Sequence, residues 1–217
     1  KYVLCILMIL VFIYNIDAEA GSKTGLEFNG GLTYNNYLYK KYDIQQGERN
    51  LDDGYFIRED LHQGTGYYIE AIYWKNSQLG IGLGLQKNKM IAEWESDSNT
   101  ARYKANLDSY YSSLIYSLNY TLDLYIDINY NLYNENYSKE DFSTVIKSGA
   151  GLGMMLGSKM NYPLNENIDL LLNTGYYLAD IHIDEKYSSY QGEVINVDDE
   201  VLLINGLGIK FGIKYKF

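Results

Sequence analysis

Two histidines, His62 and His182, are the side chains of this 217-residue chain best suited by type to move protons near neutral pH. Beside an acid or a hydroxyl, either could serve a surface hydrolase as general base, or bind a metal ion. Neither lies in a spacing that a catalytic pattern requires, and a histidine facing solvent is the commoner state, so no catalytic residue is assigned. Oxygen ligands are more plentiful. Asp52, Asp53, Glu59 and Asp60 fall in one stretch and Asp198, Asp199 and Glu200 in another, and such clusters can hold calcium. Both lack the central glycine and closing glutamate of an EF-hand loop, which leaves solvated acidic loops and no metal site. The runs Gly80, Gly82, Gly84 and Gly149, Gly151, Gly153 neither complete G-x-G-x-x-G nor open a helix. Cys5 is the one cysteine, so no disulfide framework, thiol nucleophile or thiolate site follows it. No cofactor is expected.

The elements that must position these residues read as strands. From Val201 to Phe217, odd positions carry Val201, Leu203, Asn205, Leu207, Ile209, Phe211, Ile213, Tyr215 and Phe217, and the even positions downstream carry Gly206, Gly208, Lys210, Gly212, Lys214 and Lys216. That is a period of two. A soluble strand runs about 5 to 6 residues, so one this long suits an apolar layer roughly 25 Å deep. Seven further stretches alternate in the same way: 23–39, 67–74, 79–89, 107–118, 122–133, 143–162 and 168–181. In the third, Leu79, Ile81, Leu83 and Leu85 oppose Gly80, Gly82 and Gly84; in the fifth, Leu122, Leu124, Ile126 and Ile128 oppose Asp123, Asp127 and Asn129. Connections after the second, fourth and sixth stretches are about three to five residues, and the others are longer, as expected for short periplasmic turns and long external loops. One proline, 20 glycines and 25 tyrosines fit long strands with aromatic girdles at two water interfaces.

The closing strand resembles that of bacterial outer-membrane β-barrels, in which a terminal Phe with aromatic and aliphatic residues at alternate upstream positions is the insertion signal. The alternation over nearly the whole chain is similar to the small OmpA/OmpX-type barrels. The resemblance implies an all-β, eight-stranded antiparallel up-and-down transmembrane β-barrel in the cell outer membrane, with ten strands as the alternative if residues 40–66 hide a hairpin. It also implies that Phe211, Ile213, Tyr215 and Phe217 address the barrel-assembly machinery and then face outer-membrane lipid.

Register follows from cost. Were the even face of the last strand turned to lipid, Lys210 would lie near mid-membrane at about 2 to 4 kcal/mol, and Asp127 would suffer the same reversal. The charged parity therefore points inward. Eight strands leave an interior just wide enough for side chains to fill, with inward glycines making room for Tyr68, Trp74, Tyr111 and Tyr177. Glu27, Glu70, Asp123, Asp127, Lys147 and Lys210 are expected to form a lumen charge network.

The opening segment KYVLCILMILVFIYNIDAEA has a basic start, an apolar run and a small-x-small site ending at Ala20, the layout of a signal peptide. Residues 1–20 are thus expected to be a leader and 21–217 the barrel domain. The net charge of -10 disfavours nucleic acid as a partner, since phosphates need Lys and Arg. The functional expectation is a non-enzymatic barrel with a mostly filled lumen, acting structurally or binding a surface ligand or host protein through its external loops. The alternatives are a small porin-like channel for ions or apolar solutes, and a surface hydrolase.

Overall fold

The computed structural model describes residues 25–43, 63–96, 99–139, 142–188 and 193–217. They form β1 (Gly25–Asp43), β2 (Gln63–Trp74), β3 (Leu79–Ser96), β4 (Asn99–Ser117), β5 (Leu122–Lys139), β6 (Phe142–Pro163), β7 (Ile168–Ser188) and β8 (Glu193–Lys216). Each strand pairs antiparallel with the next, and β8 returns to β1 to close the barrel. The eight-strand expectation holds and the ten-strand alternative does not. Closure gives every strand two neighbours, which is what a sheet needs where no water can reach its edges.

Three tight turns lie at the same end as Gly25 and Phe217, and all three are built alike. The Asn76 side-chain oxygen accepts from the backbone N–H of Gln78 and of Leu79 at 3.0 and 2.7 Å. Asn119 does the same for Thr121 and Leu122, both at 2.9 Å, and Asn165 for Asn167 and Ile168, both at 2.9 Å. An Asn side chain mimicking a backbone turn two and three residues on is the chemistry such corners favour. Pro163 ends β6 one residue before its turn, where a missing N–H costs the ladder little.

The strands outrun the stretches read from alternation. Residues 97–98 alone separate β3 from β4, and residues 140–141 alone separate β5 from β6. The long external loops expected there are largely ladder instead. Asp198, Asp199 and Glu200, expected before the last strand, lie on the backbone of β8. That strand, of 24 residues, climbs roughly 60 Å at ~3.3 Å per residue and a tilt of ~40°, more than twice a ~25 Å apolar belt.

The belt occupies the turn-proximal part of the outer wall. Leu32, Leu83, Ile128, Leu152 and Leu207 are all more than 60% exposed there. Leaving so much aliphatic surface uncovered is unfavourable in water and correct in lipid. Tyrosines border the belt above, at Tyr34, Tyr67, Tyr110, Tyr130 and Tyr176, and rings border it below, at Phe28, Tyr73, Tyr162, Tyr215 and Phe217. Beyond the upper tyrosines the wall changes character. Outward positions become Lys89 on β3, Asn134 on β5, and Asp180, His182 and Asp184 on β7, all exposed. Inward positions at this level become Met90, Leu107, Ile181, Ile183 and Ile204, all buried. The barrel is thus apolar outside and polar inside within the membrane, and largely the reverse above it, with Ile91 still outward on β3 and Glu135 and Lys147 buried inward on β5 and β6.

Candidate functional site

The lumen gathers the chain's buried chemistry in three tiers. Nearest the turns, the Lys214 ammonium lies 3.2 Å from Glu27, and Lys216 binds Asp169 at 2.8 Å and donates to the Tyr120 hydroxyl at 2.7 Å. Asp123 accepts from the Asn161 amide at 2.9 Å. Apart from Tyr120, which lies in the turn between β4 and β5, each of these side chains sits on the inward parity of its strand, which alternation assigns without reference to the partner.

The middle tier is the densest. Lys159 of β6 contacts both carboxylate oxygens of Glu70 at 2.7 Å, and Glu70 also accepts from Asn29 and Ser113, both at 2.9 Å. Ser113 reaches Asp127 as well, at 2.6 Å. Lys210 stands 3.6 Å from Asp127, with its ammonium 4.4 Å from the centre of the Tyr111 ring and 5.4 Å from that of Tyr68. Lys159 likewise lies 5.1 Å from the Tyr125 ring centre. A buried charge must be paired and hydrogen-bonded to be tolerated, and here carboxylates, hydroxyls and ring faces share that work.

Glycine makes the tier possible. A methyl at Gly84 would run into the Tyr111 ring, and one at Gly212 would lie 2.6 Å from the Tyr68 hydroxyl. Tyr125 lies against Gly175 in the same manner, its hydroxyl 2.7 Å from where a Cβ would stand. Three tyrosines therefore fill the bore at the height where the wall carries no side chain opposite them.

In the upper tier Asn131 accepts from Ser109 and Tyr177, both at 2.7 Å. Asn88 accepts from Thr33 at 2.6 Å and Asn35 at 2.9 Å and donates to Tyr37 at 3.0 Å. Tyr37 and Tyr177 meet edge to face with ring centres 5.7 Å apart. Above them Met90, Ala105, Leu107, Ala179, Ile181 and Ile204 close the bore as an apolar plug.

Among the residues singled out from sequence, Glu70, Asp127 and Lys210 lie in the middle tier, with Glu27 and Asp123 below them. Lys147 is buried but sits apart, opposite Glu135 near the outer end of β5 and β6. The strongest partner, Lys159, was not singled out, although its inward parity on β6 was a usable signal. Phe211, Ile213, Tyr215 and Phe217 are exposed on the outer wall, where Phe217 packs edge to face on Phe28 and Tyr215 at 5.5 and 4.7 Å. His182 faces outward from β7, flanked by outward Asp180 and Asp184. His62, Asp52, Asp53, Glu59, Asp60, Cys5 and residues 1–20 lie outside the described residues. No cluster of three His, Cys, Asp or Glu side chains that could hold a metal occurs among the described residues.

An eight-stranded closed barrel with an aliphatic belt between two aromatic rings is the architecture of small bacterial outer-membrane proteins, and the belt locates this chain in the outer membrane. Similar solved structures are of that class. The chain matches Ail, the attachment invasion locus protein of Yersinia pestis, crystallised with the heparin analogue sucrose octasulfate, at a TM-score of 0.52 and 15% identity over 87% of this chain and 99% of the other. It matches the outer membrane protein OprG from Pseudomonas aeruginosa at a TM-score of 0.52 and 13% identity over 93% of this chain and 99% of the other. A looser likeness to the outer membrane protease OmpT of Escherichia coli, TM-score 0.46 at 12% identity over 94% of this chain and 100% of that one, bears on nothing chemical. No protein-family model and no curated protein matches the chain by sequence.

Proposed function

We propose that this chain is a non-enzymatic, non-conducting outer-membrane barrel whose role is exercised at its outer surface, as a structural element or as a binder of a surface ligand or host protein. One observation carries the reading: the bore is occupied twice, by the paired charges and tyrosines of the middle tier and by the apolar plug above them. An ion would have to break the Glu70–Lys159 contact and then cross a ring of aliphatic side chains. His182, the described histidine, faces away from the bore and offers no base poised against a hydroxyl. Ail, in its complex with a heparin analogue, is a precedent for ligand capture on this fold. In this reading residues 1–20 are removed as a leader, and Phe211, Ile213, Tyr215 and Phe217 are read by the barrel-assembly machinery before they meet lipid.

Purified barrel reconstituted in a planar bilayer tests the central point. Silence is expected. Steady cation-selective current would replace this reading with the channel one, in which Asp127 lines the path. Co-fractionation with outer membrane and a heat-dependent shift in gel migration test the location, and removal of residues 44–62 should leave both intact while altering surface binding.

A further inference from the structure

The charges that face the bore do not cancel. Below the plug, Glu70 faces Lys159, Asp127 faces Lys210, Glu27 faces Lys214 and Asp169 faces Lys216, so four carboxylates meet four ammoniums. Asp123 is a fifth carboxylate on the same inward face, and it too is buried. Glu135 and Lys147, opposite one another higher up, add nothing to the balance. Lys75, the remaining described lysine at the turn end, is exposed in its turn. Asp123 makes contacts besides Asn161, but the total is indifferent to which group touches which. Among the described residues the bore therefore carries one negative charge in excess, and inside a wall surrounded by lipid an uncompensated charge is costly.

A second observation falls at the same place. The Asn161 amide nitrogen donates to Asp123 at 2.9 Å, and the oxygen carried on the same carbon accepts no hydrogen bond among the described residues, although Asn161 is only 3% exposed. That oxygen is an acceptor with two lone pairs, and burying it without a donor is unfavourable. Ser117 of β4 stands opposite Asp123 in register and is fully buried. Such neighbours lie about 4.5 to 5.5 Å apart at Cβ. The Ser117 hydroxyl spends its proton on the Asn119 carbonyl at 2.8 Å, which leaves its own oxygen to accept. A water molecule would satisfy the amide and leave the charge. A divalent ion would overshoot the charge, and the set of three His, Cys, Asp or Glu side chains that would suit one does not occur among the described residues. A monovalent cation that takes oxygen ligands meets both needs.

We propose that Asp123, Asn161 and Ser117, at the turn end of the bore, bind a monovalent alkali cation that completes the charge of the lumen. Asp123 supplies the charge, and the amide and hydroxyl oxygens supply neutral ligands. Asp123 is the second residue of β5, and Asn161 stands two residues before the end of β6. An ion therefore arrives from the turn-side mouth without passing the Glu70 and Lys159 contact or the plug. It stays where it binds, so the site stabilises a closed bore and is no step of a conduction path.

Thermal unfolding of the full barrel in bicelles, in sodium or potassium chloride against N-methylglucamine chloride at one ionic strength and one pH, tests this. At an alkali concentration about 100-fold above the dissociation constant the midpoint should rise by roughly 5 °C or more, and saturate, while the organic cation gives no rise. Asp123→Asn keeps the shape and removes the excess charge, so its midpoint should be the same in all three salts. Asn161→Leu removes one ligand and should raise the half-saturating concentration about tenfold. Glu166→Gln, at an exposed turn carboxylate of the same end, should respond as the parent does. A reading independent of unfolding comes from the sodium NMR line, which the parent barrel should broaden, potassium should sharpen again, and Asp123→Asn should leave narrow. Equal parent midpoints in alkali and organic salts, an Asp123→Asn barrel that responds like the parent, or a sodium line that the parent leaves narrow would each overturn the proposal.

Discussion

The membrane-embedded half of the barrel and the half that rises above it are built on one continuous ladder, yet their chemistry is inverted. On β7 the outward positions run Leu170, Leu172, Thr174, Tyr176, Leu178 and then Asp180, His182, Asp184, while the inward ones run Asp169, Leu171, Asn173, Gly175, Tyr177 and then Ala179, Ile181, Ile183. The pleat never changes phase between Ile168 and Ile183. What changes is the solvent. Against lipid, aliphatic side chains stay outside and the polar set must satisfy itself in the bore; against water, the hydrophobic effect returns the aliphatic side chains to the interior. The lower half is therefore held by directional contacts centred on its paired charges, and the upper half by packing that tolerates substitution in proportion to volume.

The sharpest break in that contrast is Glu70→Leu. It strands Lys159 in the bore with no carboxylate, and removal of one member of a buried pair costs about 3 to 5 kcal/mol. Urea unfolding of the reconstituted barrel should show the loss, and Glu70→Leu combined with Lys159→Leu should recover most of it. Failure of the double variant to recover would mean that Asn29 and Ser113, not the charge, dominate the site. In the upper half, Ile181→Ala deletes packing without stranding a charge. It should cost about 2 to 5 kcal/mol, and no second substitution on β8 should rescue it. If Ile181→Ala proves neutral, the apolar plug is not a packed core.

This inversion also explains how far the strands could be followed in sequence. Reading the outward parity of β7 for apolar residues stops at Leu178, and β3 is interrupted after Leu85 by Lys87 and Lys89, because beyond these points Ile181, Ile183 and Met90 take the other parity. Met90, Leu107, Ile181 and Ile204 were therefore invisible as a core, although the switch itself was a legible signal. Strand number, closure and the direction of Glu27, Glu70, Asp127 and Lys210 were accessible because they depend only on alternation. The pairing of Glu70 with Lys159, separated by 89 residues, was not, because it depends on the stagger of four strands across the bore. The turns held a signal that alternation ignores: Asn76, Asn119 and Asn165 each stand three residues before a strand.

One substitution on the outer wall, measured in two media, tests whether solvent alone sets the difference between the halves. Leu83→Arg places a cation amid the belt, where Leu83 is 66% exposed, and should cost about 2 to 4 kcal/mol by unfolding from vesicles. The same barrel in a micelle, where the guanidinium reaches water more easily, should lose less. Equal losses in both media would mean that Leu83 is stabilised by its sheet neighbours and not by lipid.

The smallest effect belongs to the pair that most resembles the lumen contacts in geometry. Lys87 meets Asp108 at 3.2 Å, a separation equal to that of Lys214 and Glu27, yet the pair is 43% and 27% exposed at its two side chains. Water screens it and both side chains lose rotamer freedom to form it, so Asp108→Asn should change stability by no more than about 0.2 to 1 kcal/mol, and less as salt is raised. Glu27→Gln, probed in parallel, should cost several times as much and be indifferent to salt. If the two variants respond alike, distance would be the controlling variable and the contrast between bore and rim would collapse; if they diverge, it is the surrounding medium that decides what an ion pair is worth in this barrel.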